Sequence, residues 1–374
     1  MEFTIHHQVL LSVFVIALVM GAVANQTNFC TMGGVSDWIN MEDTGRIRAW
    51  LLAMAVALTG VMGLEAAISL NLNSEVFPPY RSANFAWLRY LLGGLMFGIG
   101  MTLASGCGNK TLVRIGGGNL KSLVVLLVAG TLSYMMLWGD LYGKLFDSWM
   151  SATTINLAAA NMQSQELSAI LGGVLGMEAS SKLHFIVGGL VAAGIFGFIF
   201  SNHEFRKSSD NILAGVVIGL AVVAGWWIAG GSMGVAWKEY ADMAEVVPSR
   251  VQVQSFTFIS PMGDSARYLM EPGKLDFINF GIMALSGVIL GSLIYSLVTK
   301  TFRIEWFANR EDVINHLIGA TLMGVGGVLS MGCTVGQAIT GFSTLALGSI
   351  LTFVSIVAGS VATMKYLYWR AMQD

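Results

Sequence analysis

Gly100-Met-Thr-Leu-Ala-Ser-Gly-Cys107 and, 226 positions later, Gly326-Gly-Val-Leu-Ser-Met-Gly-Cys333 decide how this chain is read. Each segment closes a long apolar run on a Gly-Cys step, so a thiol falls where a membrane helix should break. At the same offset Leu91 pairs with Leu317, Gly93 with Gly319, Gly98 with Gly324 and Leu103 with Leu329. Paired discontinuous helices of this kind point to a transport site at the interface of two repeats.

The surrounding chain has the composition of a bilayer protein. Of 374 residues, 55% are hydrophobic and 11% charged, against roughly 25% charged in a soluble domain. Runs of spanning length occur at 8–24, 46–70, 89–105, 120–139, 183–200, 212–231, 275–298, 313–331 and 349–369. An all-α polytopic membrane protein is expected, with about nine transmembrane helices, broken or re-entrant segments, and two related repeats at 1–182 and 183–374. The 45 glycines suit close helix crossings. The polar stretches 140–182 and 232–274 read as loops, and Trp226-Trp227 and the 366–369 segment read as interfacial aromatic belts. The N-terminus lacks the basic region of a cleaved signal peptide, so the first run is expected to remain as a helix.

With nine crossings, twelve of the twenty Lys and Arg residues fall on the side of the C-terminus. Six of the other eight lie in the two long loops that the positive-inside rule discounts. The N-terminus is therefore expected outside and the C-terminus in the cytoplasm, with the two Gly-Cys breaks inverted. The earlier segments 18–29 and 194–205 align in parallel instead, which leaves room for one re-entrant run and puts Arg206 opposite Cys30.

The chemistry centres on three cysteines, Cys30, Cys107 and Cys333, with no C-x-x-C and an odd count that speaks against a disulfide framework. Asn109 to Arg114 can begin a second helix after the first break, and Thr334 can cap one after the second. Helix N-termini favour anions, so Gly106, Gly108, Gly332 and Thr334 join the thiols as candidate substrate-binding residues. Lys110 and Arg114 are possible anion-attracting residues or plain interfacial charge. The bland alternative for the cysteines is packing at helix crossings; duplication of the Gly-Cys step favours function, although Cys30 has no partner thiol. The five histidines share no ligand spacing, so no metal and no cofactor are expected. No phosphate loop or hydrolase motif appears, the net charge of −2 argues against nucleic acid, and a catalytic thiol would need a base within reach. Glu65 is the acidic residue placed to lie inside the membrane, where an ionisable group is a functional candidate or the end of its helix.

At the two glycine-punctuated Gly-Cys blocks, at Asn28-Phe29-Cys30 and along 255–268, the chain resembles the YeeE/YedE family of sulfur-transport membrane proteins over nearly its whole length. The resemblance implies uptake of thiosulfate, or of another sulfur or selenium compound, across the bacterial inner membrane. It also implies an hourglass in which Cys107, Cys333 and Cys30 contact the anion, and a possible cytoplasmic sulfur-carrier partner. The chemistry agrees: a thiol is a weak donor suited to the weakly accepting terminal sulfur, and weak repeated contacts suit conduction. Neutral thiols are expected, because a thiolate would repel a dianion. A membrane enzyme that forms a cysteine persulfide is the reading from another class.

Overall fold

The computed structural model describes residues 4–68, 70–73, 76–176 and 180–373. Its helices are α1 (Ile5–Gln26), α2 (Thr31–Met41), α3 (Gly45–Ile68), α4 (Trp87–Leu103), α5 (Gly108–Gly116), α6 (Leu120–Leu137), the single turn α7 (Ser148–Met150) and α8 (Leu167–Leu175). They continue with α9 (Ser181–Phe200), α10 (His203–Lys207), α11 (Ser209–Gly230), α12 (Ser232–Met243), α13 (Ile259–Met270), α14 (Phe280–Val298), α15 (Arg310–Leu329) and α16 (Leu347–Ala371). A π-helical turn, Val335–Gly341, lies between α15 and α16. Among the described residues nine segments are long and apolar enough to cross a membrane, two of them, Ile5–Met41 and Trp87–Gly116, interrupted by a break. Two short strands, Asn84–Phe85 and Ile155–Asn156, pair antiparallel.

The two Gly-Cys segments pack on each other through glycine. A Cβ on Gly93 would stand 2.5 Å from the Ser330 amide nitrogen and 2.7 Å from the Gly326 carbonyl. In the reciprocal relation, a Cβ on Gly319 would stand 2.6 Å from both the Ala104 nitrogen and the Gly100 carbonyl. Every one of these positions maps onto its counterpart at the offset of 226. Advancing along α4 from Gly93 to Gly100 retreats along α15 from Gly326 to Gly319, so the helices run antiparallel and their breaks enter from opposite ends. Side chains would forbid this approach, and in lipid it is close packing, not apolar burial, that drives helices together.

The contacts sort the connections onto two faces. Arg370 pairs with Glu311 at 3.1 Å and Lys121 with Asp312 at 2.8 Å, while Asn119 bridges to Glu305. The other face carries the small sheet, the Val76–Val253 bridge and the bond from Trp237 to His6 at 2.9 Å. The first and last helices thus present their outer ends to opposite faces.

Two expectations need correction. The stretch 232–274 is not a loop: it contains α12 and α13, residues 255–258 are buried irregular backbone, and α13 packs against α6. The Ser255 hydroxyl donates to the Val222 carbonyl of α11 at 2.7 Å and anchors the segment, and the Thr340 hydroxyl donates to the Phe256 carbonyl at 2.6 Å, a partner of the kind that buried irregular backbone requires. This hairpin lies outside the nine long helices. Trp226 is no belt residue either: it is fully buried and its indole N–H donates to the Ser343 hydroxyl at 3.2 Å, while Trp227 is 58% exposed. Tyr366, Tyr368 and Trp369 are exposed, as a belt requires.

Candidate functional site

One local device presents each thiol. Two residues before Cys107, Ser105 has φ 57°, and two before Cys333, Met331 has φ 59°. The Gly106 N–H donates to the Met101 carbonyl and the Gly332 N–H to the Gly327 carbonyl, both at 2.8 Å, with Ser105 and Met331 closing the inner bond to Thr102 and Val328. This is the paired-bond turn that ends helices in the left-handed region. Asn28, φ 52°, repeats it two residues before Cys30, with Phe29 N–H donating to Ala24 at 3.1 Å. Asparagine tolerates that conformation, but serine and methionine are held there at a cost of about 1–2 kcal/mol, and such strain gathers at functional sites.

After each turn the cysteine faces the start of the next helical segment. The Gly33 N–H donates to Cys30 Sγ at 3.4 Å and the Gly336 N–H to Cys333 Sγ at 3.5 Å, and the Lys110 N–H approaches the Cys107 sulfur more loosely. In all three the donor lies three residues on, as in an ordinary N-cap.

The inverted crossing brings the three turns together. Cys30 and Cys107 interact side chain to side chain, and the Thr334 hydroxyl faces the Cys107 thiol. Gly108 lies against Cys333, with Met262 and Phe258 alongside. The Thr257 hydroxyl and the Phe258 amide face Cys333 in turn. Cys30 is 3% exposed and the other two thiols 0%, so the assembly is closed to solvent.

The remaining predicted residues divide by role. Gly106 and Gly332 supply the turns rather than the facing surface, whereas Gly108 faces the second thiol. Lys110 and Arg114 lie within electrostatic reach of Cys30, and Lys110 Nζ donates to Asn28 Oδ1 at 3.0 Å. Arg206, in α10, is exposed. The place that Cys30 holds beside Cys107, at the cap of α2, is held beside Cys333 by Phe258, at the cap of α13. The parallel alignment that pointed to Arg206 compared helix ends and missed the hairpin.

Sequence reasoning named Thr334 but missed Asn109, Thr31 and Thr257. Asn109 is fully buried, and neither its Nδ2 nor its Oδ1 has a hydrogen-bond partner. The hydroxyls of Thr31, Thr257 and Thr334 likewise find no oxygen or nitrogen partner. Each such group costs about 1–3 kcal/mol when left unsatisfied. For Thr31 and Asn109 the signal was adjacency: they stand one and two residues after a cysteine.

With this geometry in view, likeness to known proteins becomes informative. The thiosulfate transporter TsuA of Escherichia coli (strain K12) is 24% identical over 337 residues, covering 88% of this chain and 86% of the relative. The thiosulfate transporter TsuA of Spirochaeta thermophila is 23% identical over 288 residues, covering 75% and 77%. Residues 26–362, which include all three cysteines and both Gly-Cys breaks, match the family described as Sulphur transport, and the chain belongs to that family.

Proposed function

We propose that this protein takes up thiosulfate across the bacterial inner membrane at the meeting point of Cys30, Cys107 and Cys333, with residues 1–182 and 183–374 as the two repeats of an hourglass. The N-terminus faces outward and the C-terminus the cytoplasm, in keeping with the Lys and Arg balance. The observation that carries this reading is Asn109, two residues after Cys107, a fully buried amide with both polar atoms unpartnered. Thiosulfate has a soft sulfur end and three oxygens. Thiols suit the first; the Asn109 amide and the hydroxyls of Thr31, Thr257 and Thr334 suit the second. Gly108 leaves room between the two central cysteines, and the turns at Gly106 and Gly332 hold them.

Lys110 and Arg114, beside Cys30, draw the anion toward the cytoplasmic end, where a sulfur-carrier protein is the expected acceptor. Carrying two negative charges into an inside-negative cell costs about 5 kcal/mol per 100 mV, so the thiols have to be met by a driving force from elsewhere. The test is uptake of labelled thiosulfate by cells expressing Cys107→Ala or Cys333→Ala at normal membrane levels. Loss of uptake is expected in both, and unchanged uptake in both overturns the site. Competition by unlabelled selenium and sulfur anions in the same assay fixes the substrate range.

A further inference from the structure

Away from the thiols, on the face that carries the small sheet, a cavity of about 920 Å³ is lined by Glu65, Arg81, Glu166 and His184 with several serines. Four separate elements supply the charges: α3, the segment before α4, the residue capping α8, and α9. His184 Nδ1 lies 2.6 Å from Glu166 Oε1, and its Nε2 lies 3.0 Å from Glu65 Oε2 without alignment for a hydrogen bond. Arg81 Nη1 donates to Glu65 at 2.7 Å, its Nε stands 3.4 Å from Glu166, and its Nη2 has no partner. The Ser168 hydroxyl donates to Glu166. Among the described residues these are the charged and titratable groups that face His184.

Two carboxylates, one guanidinium and one imidazole give a net charge set by the imidazole: zero when the ring is protonated, −1 when it is not. The cluster also grips the Cys333 half of the site. Arg81 Nε donates to the Thr344 carbonyl at 3.0 Å, and the neighbouring Tyr80 hydroxyl donates to the Gly336 carbonyl at 2.7 Å. These carbonyls belong to the π-helical turn that follows Cys333 and to the short 3-10 turn, Phe342–Thr344, that continues it. Glu166 is bridged to Ala346 just beyond it. Buried ionisable groups in a membrane protein mark ion and proton sites by default.

We infer that the Glu65–Arg81–Glu166–His184 cluster is a proton-binding site, reached through this cavity, whose occupancy is linked to binding of the anion at the thiols. When the ring gives up its proton, Arg81 alone must offset two carboxylates. It is then drawn from the Thr344 carbonyl, and the added negative charge opposes the incoming dianion. Protonation reverses both effects, and by reciprocity anion binding draws a proton onto the cluster. Burial opposes ionisation of Glu166, but the His184 bond, the Arg81 charge and the Ser168 hydroxyl outweigh it, so its carboxyl lies below the ordinary value and stays charged to receive the imidazolium.

The inference rests on the thiosulfate reading, and titration calorimetry of the purified full chain separates the two. Thiosulfate is titrated in two buffers of different ionisation enthalpy at each of several values between about pH 6 and about pH 10, a range wide enough to include an imidazole held by two carboxylates. Wild type should bind and take up a fraction of a proton, His184→Gln and Glu166→Gln should each lose that uptake, and cellular uptake should fall roughly threefold or more across the range in wild type alone. Absence of binding by wild type defeats the thiosulfate reading. Binding by wild type with no proton uptake, or with uptake retained in a folded His184→Gln, overturns the proton site.

Discussion

Gly108 is held against Cys333 by the crossing of the two broken helices, so that a Cβ at position 108 would stand 3.6 Å from the Cys333 Cβ. That distance is ordinary contact, so Gly108→Ala should fold. It places a methyl group between the central thiols, and filling a packed site costs about 1–3 kcal/mol. Labelled thiosulfate uptake is expected to fall roughly tenfold with membrane levels unchanged.

At the reciprocal contact the outcome should be loss of stability. Gly93→Ala and Gly319→Ala each press a methyl group onto backbone of the opposite half, at 2.5 Å and 2.6 Å. Neither backbone can yield by rotating a side chain, so each variant should lose about 1–3 kcal/mol. The two losses should be similar, as thermal unfolding in detergent would record.

Asn109→Leu separates binding from architecture. An apolar side chain of similar shape removes two unsatisfied buried atoms, so the anion-free protein should be as stable as wild type or more so. Thiosulfate affinity, measured by calorimetry, should nevertheless drop about tenfold if the amide meets the anion's oxygens. Unchanged affinity would assign the amide no part in binding.

Tyr80→Phe removes the donor to the Gly336 carbonyl and leaves that buried acceptor without its partner, at a cost of about 1–3 kcal/mol. Amide hydrogen exchange should rise along the π-helical turn 335–341 and stay unchanged in α6. A uniform rise through both would show that the bond supports the whole protein rather than the turn.

The nine long helices were legible because each is an apolar run of spanning length, and the two breaks because glycines and cysteine recur at one offset. The hairpin was not, since Gln252, Gln254, Ser255 and Thr257 read as a polar loop and their burial depends on carbonyls supplied by α11 and on the Thr340 hydroxyl. The left-handed backbone at Ser105 and Met331 carried no signal either, because neither residue type advertises it. Glu65 stood out alone, but Arg81, Glu166 and His184 are brought to it from 16 to 119 positions along the chain, a meeting that only the folded bundle specifies.

The glycine crossing has a mechanical corollary. Each thiol turn leans on backbone belonging to the opposite half, so tilting one half as a rigid lever would pry apart both turns at once and undo the contacts that position the cysteines. The pieces outside that clasp are α2 and the 255–258 segment with its helix α13. Any movement at the thiols therefore belongs to these flanks, around a central crossbar that stays put.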